Sequence, residues 1–207
     1  MKFGRDECVK LLILRGAPVV AKRTANDGQQ YNTVHMACLY GHPKCLEIVL
    51  DLGNVNVDIL NEEDDTLTTG LMIACKRGHL KCVELLLDRD ANIEQVDKFG
   101  KTPLMYACMR DNNQDVLRVL LTRGALPNNI DQSGTTALMY CAQYTDSATM
   151  CQLLIENGSL VDNLDKTKKN AMMYASTHDN NNALAKIREV SIFYFQIYLY
   201  TYNVYIV

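Results

Sequence analysis

Two stretches of this 207-residue chain carry soft metal ligands at matching spacing: Cys38, His42 and Cys45, then Cys75, His79 and Cys82. Thiolate and imidazole groups so arranged are what a zinc ion takes. The same positions have a plainer use. Cys45 and Cys82 fall where Val116 and Met150 fall in similar stretches, and buried cysteine behaves as a small hydrophobe. Packing is therefore expected, with no metal and no cofactor. The acidic run from Glu62 to Asp65 lacks the spaced ligands and glycine of a calcium loop, so it is expected to be solvated. No Gly-x-Gly-x-x-Gly, phosphate-cradling lysine loop, His-Glu-x-x-His or Gly-x-Ser-x-Gly occurs. No catalytic residue is assigned, and the expectation is that the chain is not an enzyme.

The elements that hold these residues follow from a repeat. One six-residue window recurs as Asn32-Thr33-Val34-His35-Met36-Ala37, Thr69-Gly70-Leu71-Met72-Ile73-Ala74, Thr102-Pro103-Leu104-Met105-Tyr106-Ala107, Thr136-Ala137-Leu138-Met139-Tyr140-Cys141 and Asn170-Ala171-Met172-Met173-Tyr174-Ala175. Their final residues lie 37, 33, 34 and 34 apart. A second apolar stretch follows each window, more weakly in the last, and the first four end at Gly53, Asp90, Gly124 and Gly158. Each unit thus reads as two short helices closed by a residue suited to the left-handed conformation. Polar turns containing Asp97-Lys-Phe-Gly and Asp131-Gln-Ser-Gly join the units.

Composition agrees. Hydrophobic residues make up 48%, enough to bury a core, and a net charge of -3 gives no reason to expect nucleic acid as the partner. Eight cysteines in a chain of this length and apolar content suit a reducing compartment, hence a cytoplasmic or nuclear protein that is not secreted. Disulfides between equivalent cysteines such as Cys8, Cys45 and Cys82 are not expected. Adjacent packed helices lie about 10 Å apart, beyond the bridging limit of about 7 Å.

The windows resemble the ankyrin repeat family, whose unit of about 33 residues carries a Thr-Pro-Leu-His-x-Ala signature. Thr102 to Ala107 is the closest copy, and Gly41-His42 and Gly78-His79 match the turn between the helices. The resemblance implies an all-α solenoid of helix-turn-helix units joined by hairpin-like loops, and a non-catalytic protein-binding scaffold or adaptor. The array is expected to occupy 1–189, as a half repeat at 1–20 and units at about 27–60, 61–96, 97–130, 131–164 and 165–189, in a monomer. Methionine replaces the signature histidine at Met72, Met105, Met139 and Met173. Sulfur packing is expected in place of the lost hydrogen bonding.

The ends depart from this pattern. Since the chain opens inside a repeat, it is read as a piece of a longer protein, and one rival reading places an activity outside it. Residues 190–207 form a non-repeat, uncharged tail with five of the eleven tyrosines. Val190-Ser191 can be encoded by GTAAGT, a splice-donor-like word, and the preferred reading is translated noncoding sequence. A packed β segment and a membrane anchor are the alternatives, the latter making a rival membrane-associated protein.

In an array that resembles this family, the concave face would carry recognition. The contact positions that the resemblance implies are Tyr31, Leu39 and Tyr40; Thr68, Lys76 and Arg77; Lys98, Phe99, Lys101, Met109 and Arg110; Ser133, Thr135, Gln143 and Tyr144; and Lys166, Lys169, Thr177 and His178. This set mixes aromatic, methionine and arginine residues with few acids. Arg77 and Arg110 suggest a centre suited to an acidic or phosphorylated peptide.

Overall fold

In the computed structural model the described residues are 11–15, 23–24, 30–52, 55–60 and 66–204. Each six-residue window opens with the residue that starts a helix. The side chains of Asn32, Thr69, Thr102, Thr136 and Asn170 each accept from the backbone N–H three residues ahead, satisfying a donor that the helix itself leaves unpaired. The elements follow in order: strands β1 (Arg23–Thr24) and β2 (Gln30–Tyr31), then helix pairs α1 (Thr33–Tyr40) and α2 (Pro43–Leu52), α3 (Gly70–Arg77) and α4 (Leu80–Asp88), α5 (Pro103–Ala107) and α6 (Gln114–Thr122), α7 (Ala137–Tyr144) and α8 (Ala148–Glu156), α9 (Ala171–Thr177) and α10 (Asn181–Val204). β1 and β2 are antiparallel, with Arg23 opposite Tyr31.

The first helices pack on one another in sequence, α1 on α3, α5, α7 and α9, and the second helices do the same from α2 to α10. The core lies between these two layers. Its rows repeat with the units: Leu71, Leu104 and Leu138 from the first layer meet Leu86, Leu120 and Leu154 from the second, all fully buried. Burying each of these leucines contributes about 2 kcal/mol, so the shared core is what makes short helices stable.

The signature methionines do more than pack. Met72 Sδ accepts from Thr69 N–H at 3.4 Å and Met139 Sδ from Thr136 N–H at 3.5 Å, so at these two positions sulfur retains a bond that packing alone was expected to replace. His35, the one retained histidine, places Nε2 2.9 Å from the carbonyl of Ile59.

A second device ties neighbouring units together. His79 Nε2 lies 3.2 Å from the Leu39 carbonyl, Asn113 Nδ2 donates to the carbonyls of Cys75 and Ala107 at 2.9 Å each, and Asn180 Nδ2 donates to Ala142. In each case the turn of one unit satisfies carbonyls at the end of the preceding unit's first helix. The approach is close enough that a Cβ on Gly41, whose φ is +68°, would meet the His79 ring at 2.6 Å.

The hairpin tips close with a left-handed residue: Gly100 and Gly134 in two units, but Lys168, with φ of +64°, in the third. A side chain in that conformation costs about 1–2 kcal/mol, partly offset by the freedom that glycine adds to the unfolded chain. Lys168→Gly is therefore expected to stabilise the array by about 0.5–1 kcal/mol. Urea denaturation of the two proteins side by side checks it.

Among the described residues, 11–14 are helical. The rest of the expected half repeat and the acidic loop at 62–65 lie outside the described residues. One alternative for the tail is overturned: α10 continues through Val204, so the backbone there is helical, not β. Once Ala183 and Ile187 fix the start of α10 on the array, each added residue costs only propagation, which is cheap beside a new nucleus. No helix among the described residues is long and apolar enough to cross a membrane.

Candidate protein-binding face

Three aspartates organise the hairpins. Asp97 Oδ1 accepts from the N–H groups of Phe99 and Lys101, Asp131 Oδ1 from those of Ser133 and Thr135, and Asp165 Oδ1 from those of Thr167 and Lys169. The second oxygen of each takes a tyrosine hydroxyl nine residues on: Tyr106 at 2.7 Å, Tyr140 at 2.6 Å and Tyr174 at 2.6 Å. Each carboxylate is therefore buried and turned inward, binding a hairpin to the first helix that follows it. These tyrosines were absent from the expected contact positions.

Lysines lie over the same rings. Lys76 Nζ is 5.7 Å from the centre of Tyr106, Lys169 Nζ is 5.7 Å from that of Tyr174, and Lys101 Nζ sits 5.8 Å from Phe99 and 5.3 Å from Tyr140. Ammonium over an aromatic face is favourable by about 0.5–1 kcal/mol at exposed sites. Tyr140 in turn stacks on Tyr144, their centres 6.1 Å apart. The structure thus joins Phe99, Lys101, Tyr140 and Tyr144 into one aromatic and cationic strip, with Phe99 47% and Tyr144 52% exposed.

The other expected contact positions divide. Tyr40, Arg77, Lys98, Arg110 and Ser133 are exposed, as is Lys76, while Met109 and Gln143 are half-buried. Arg110 packs beside Gly78, the residue that follows Arg77 in the chain. Lys166, Lys169, Thr177 and His178 are exposed at the last unit. Leu39, Thr68 and Thr135 are buried and leave the face: Leu39 joins the core, and the two threonines sit at the bases of hairpins. The Tyr31 side chain lies outside the described residues.

Cys38, Cys75 and Cys82 are buried in the core, and burial pushes the thiols of Cys75 and Cys82 above their ordinary value. The His79 ring is engaged with the Leu39 carbonyl. Among the described residues no group of three or more histidine, cysteine or acidic side chains is arranged to hold a metal ion.

Electrostatics of the hairpins have a measurable consequence. Burial raises the Asp165 carboxyl, but bonds from Tyr174, Lys169 N–H and Thr167 outweigh it and hold it below the ordinary carboxylate value. Burial and the Asp165 carboxylate push Tyr174 up to about 12. A carboxyl with a depressed folded value stabilises fully above its unfolded value of about 3.9 and ceases to do so as pH falls through the folded one. Asp165→Asn should therefore be less stable than the parent at neutral pH, with the gap closing below about pH 4. Thermal melts across that range read it directly.

A stack of helix pairs edged by bonded hairpins defines a repeat solenoid. The model for "Ankyrin repeats (3 copies)" matches residues 56–131 and 111–189, and the chain belongs to the ankyrin repeat family. Proteins of this family generally mediate protein-protein contacts and are typically non-catalytic. No curated protein matches the chain.

Proposed function

We propose that this protein is a non-catalytic scaffold or adaptor whose concave face binds an acidic or phosphorylated segment of a protein partner. One observation carries the reading: the three hairpin aspartates spend their charge inward on backbone N–H and tyrosine hydroxyl groups, while exposed Lys76 and Lys169 and half-buried Lys101 lie over aromatic rings. The face is basic and aromatic although the chain is net acidic. Aromatic rings give rigid contact area and flanking cations give orientation, the pairing that dominates interface energetics.

Affinity capture tests it, using the full chain beside a variant with Tyr40, Arg77, Phe99, Arg110 and Tyr144 all changed to alanine. A partner bound through this face should lose affinity at least about hundredfold, since several anchor residues go at once. The loss should come with unchanged helical circular dichroism. Equal capture by both proteins would move recognition to another surface.

A further inference from the structure

Three thiols from two units converge in the core behind the binding face. Cys141 on α7 and Cys151 on α8 place their sulfurs 3.5 Å apart, with the Thr145 hydroxyl 3.3 Å from Cys141 Sγ. Cys108, which follows α5 in the preceding unit, is buried in the same core and close enough to bear on the ionisation of Cys141. All three cysteines are buried. Elsewhere in the array, buried cysteines such as Cys38 and Cys75 pack among apolar side chains as small hydrophobes do. Here two sulfurs from facing helices meet directly, in an antiparallel pair joined by a short turn.

We infer that Cys141 and Cys151 are a modification site, a thiol pair that closes to a disulfide within one unit when the protein meets hydrogen peroxide. The polarity within the cluster supports the direction of attack. The thiols of Cys108 and then Cys151 favour the ionised form of Cys141 against the cost of burial, while Cys151 is pushed up by its bond to Cys141 and by burial. Cys141 is therefore the nucleophile. Its sulfur attacks one peroxide oxygen, the O–O bond breaks, and the thiol proton leaves with the departing oxygen as water, giving a sulfenic acid. Cys151 Sγ then attacks that sulfur, the S–O bond breaks, and the hydroxyl leaves with the Cys151 proton as a second water. Two electrons pass from the thiol pair to the peroxide, and neither a metal nor a further protein is needed. The oxidant is small and uncharged, which suits a site closed to solvent.

The test uses the full chain treated with hydrogen peroxide, then acid-quenched, denatured, alkylated and digested without reductant for mass spectrometry. The expected result is a peptide linking Cys141 to Cys151, reversed by dithiothreitol, with loss of both alkylatable thiols while the buried bystander Cys75 stays reduced. Cys108→Ala should keep the link, because Cys108 assists ionisation but is not a bonded partner. Recovery of both Cys141 and Cys151 as alkylated thiols, at a dose that oxidises the half-buried Cys45, would overturn the inference. So would a link from Cys141 to Cys108, or irreversible oxidation of Cys141 with Cys151 untouched. Because the parent chain alone gives the decisive map, the result does not depend on a variant folding.

Discussion

Asp131→Ala is expected to lower stability by about 3–4 kcal/mol, a large loss for a single hairpin substitution. The carboxylate is buried, accepts two backbone N–H groups at 2.8 and 2.9 Å, and takes the Tyr140 hydroxyl at 2.6 Å. Hydrogen bonds to a charged group contribute about 1.5–3 kcal/mol each. Water can replace the carboxylate at exposed Ser133, but Thr135 and Tyr140 are buried and their donors would be stranded. Tyr140→Phe removes one donor and strands only part of the acceptor, so about 1–2 kcal/mol should be lost there. Urea denaturation of the three proteins orders them, and a loss below about 1 kcal/mol for Asp131→Ala would show that the hairpin does not depend on its aspartate.

The second large effect belongs to Asn113→Ala, expected to cost about 2–4 kcal/mol. Its amide donates to the carbonyl of Cys75, in one unit, and to that of Ala107, in its own, and the side chain is almost fully buried. Alanine leaves both carbonyls without a donor and adds a small void. Asn113→His is the informative partner, since histidine performs this role one unit earlier, where His79 meets the Leu39 carbonyl. That variant should recover a substantial part of the loss. Equal losses for alanine and histidine would mean that packing, not the bond, sets the cost.

The helical plan was legible because each window repeats a capping residue and an apolar core position, and because Asp90, Gly124 and Gly158 supply left-handed terminators at matching places. Thr102 and Thr136 illustrate it: each is a cap by residue type and by position in its window. The tyrosines behind the face were legible in principle, since Asp97 and Tyr106, Asp131 and Tyr140, and Asp165 and Tyr174 keep one nine-residue interval. They were missed because the signature treats that position as variable. Burial of Leu39, Thr68 and Thr135 was not readable, as it depends on how each unit leans on the next. The meeting of Cys141 and Cys151 escaped for a related reason. Distances between equivalent cysteines exclude bridges between units but say nothing of two different positions facing each other inside one. The helical tail follows from the packed start of α10, which composition does not reveal.

The hairpin tips are joined sideways by backbone bonds, from Lys98 N–H to the Thr66 carbonyl, Gln132 N–H to Phe99 and Lys166 N–H to Ser133. Those main-chain donors are already spent within the protein, so they cannot pair with an incoming strand. Under the proposed function, discrimination among partners at these tips falls to side chains such as Phe99 and Ser133, whose replacement leaves the lateral backbone bonding intact. Side chains at these tips can therefore change in sequence while the architecture that carries them stays fixed.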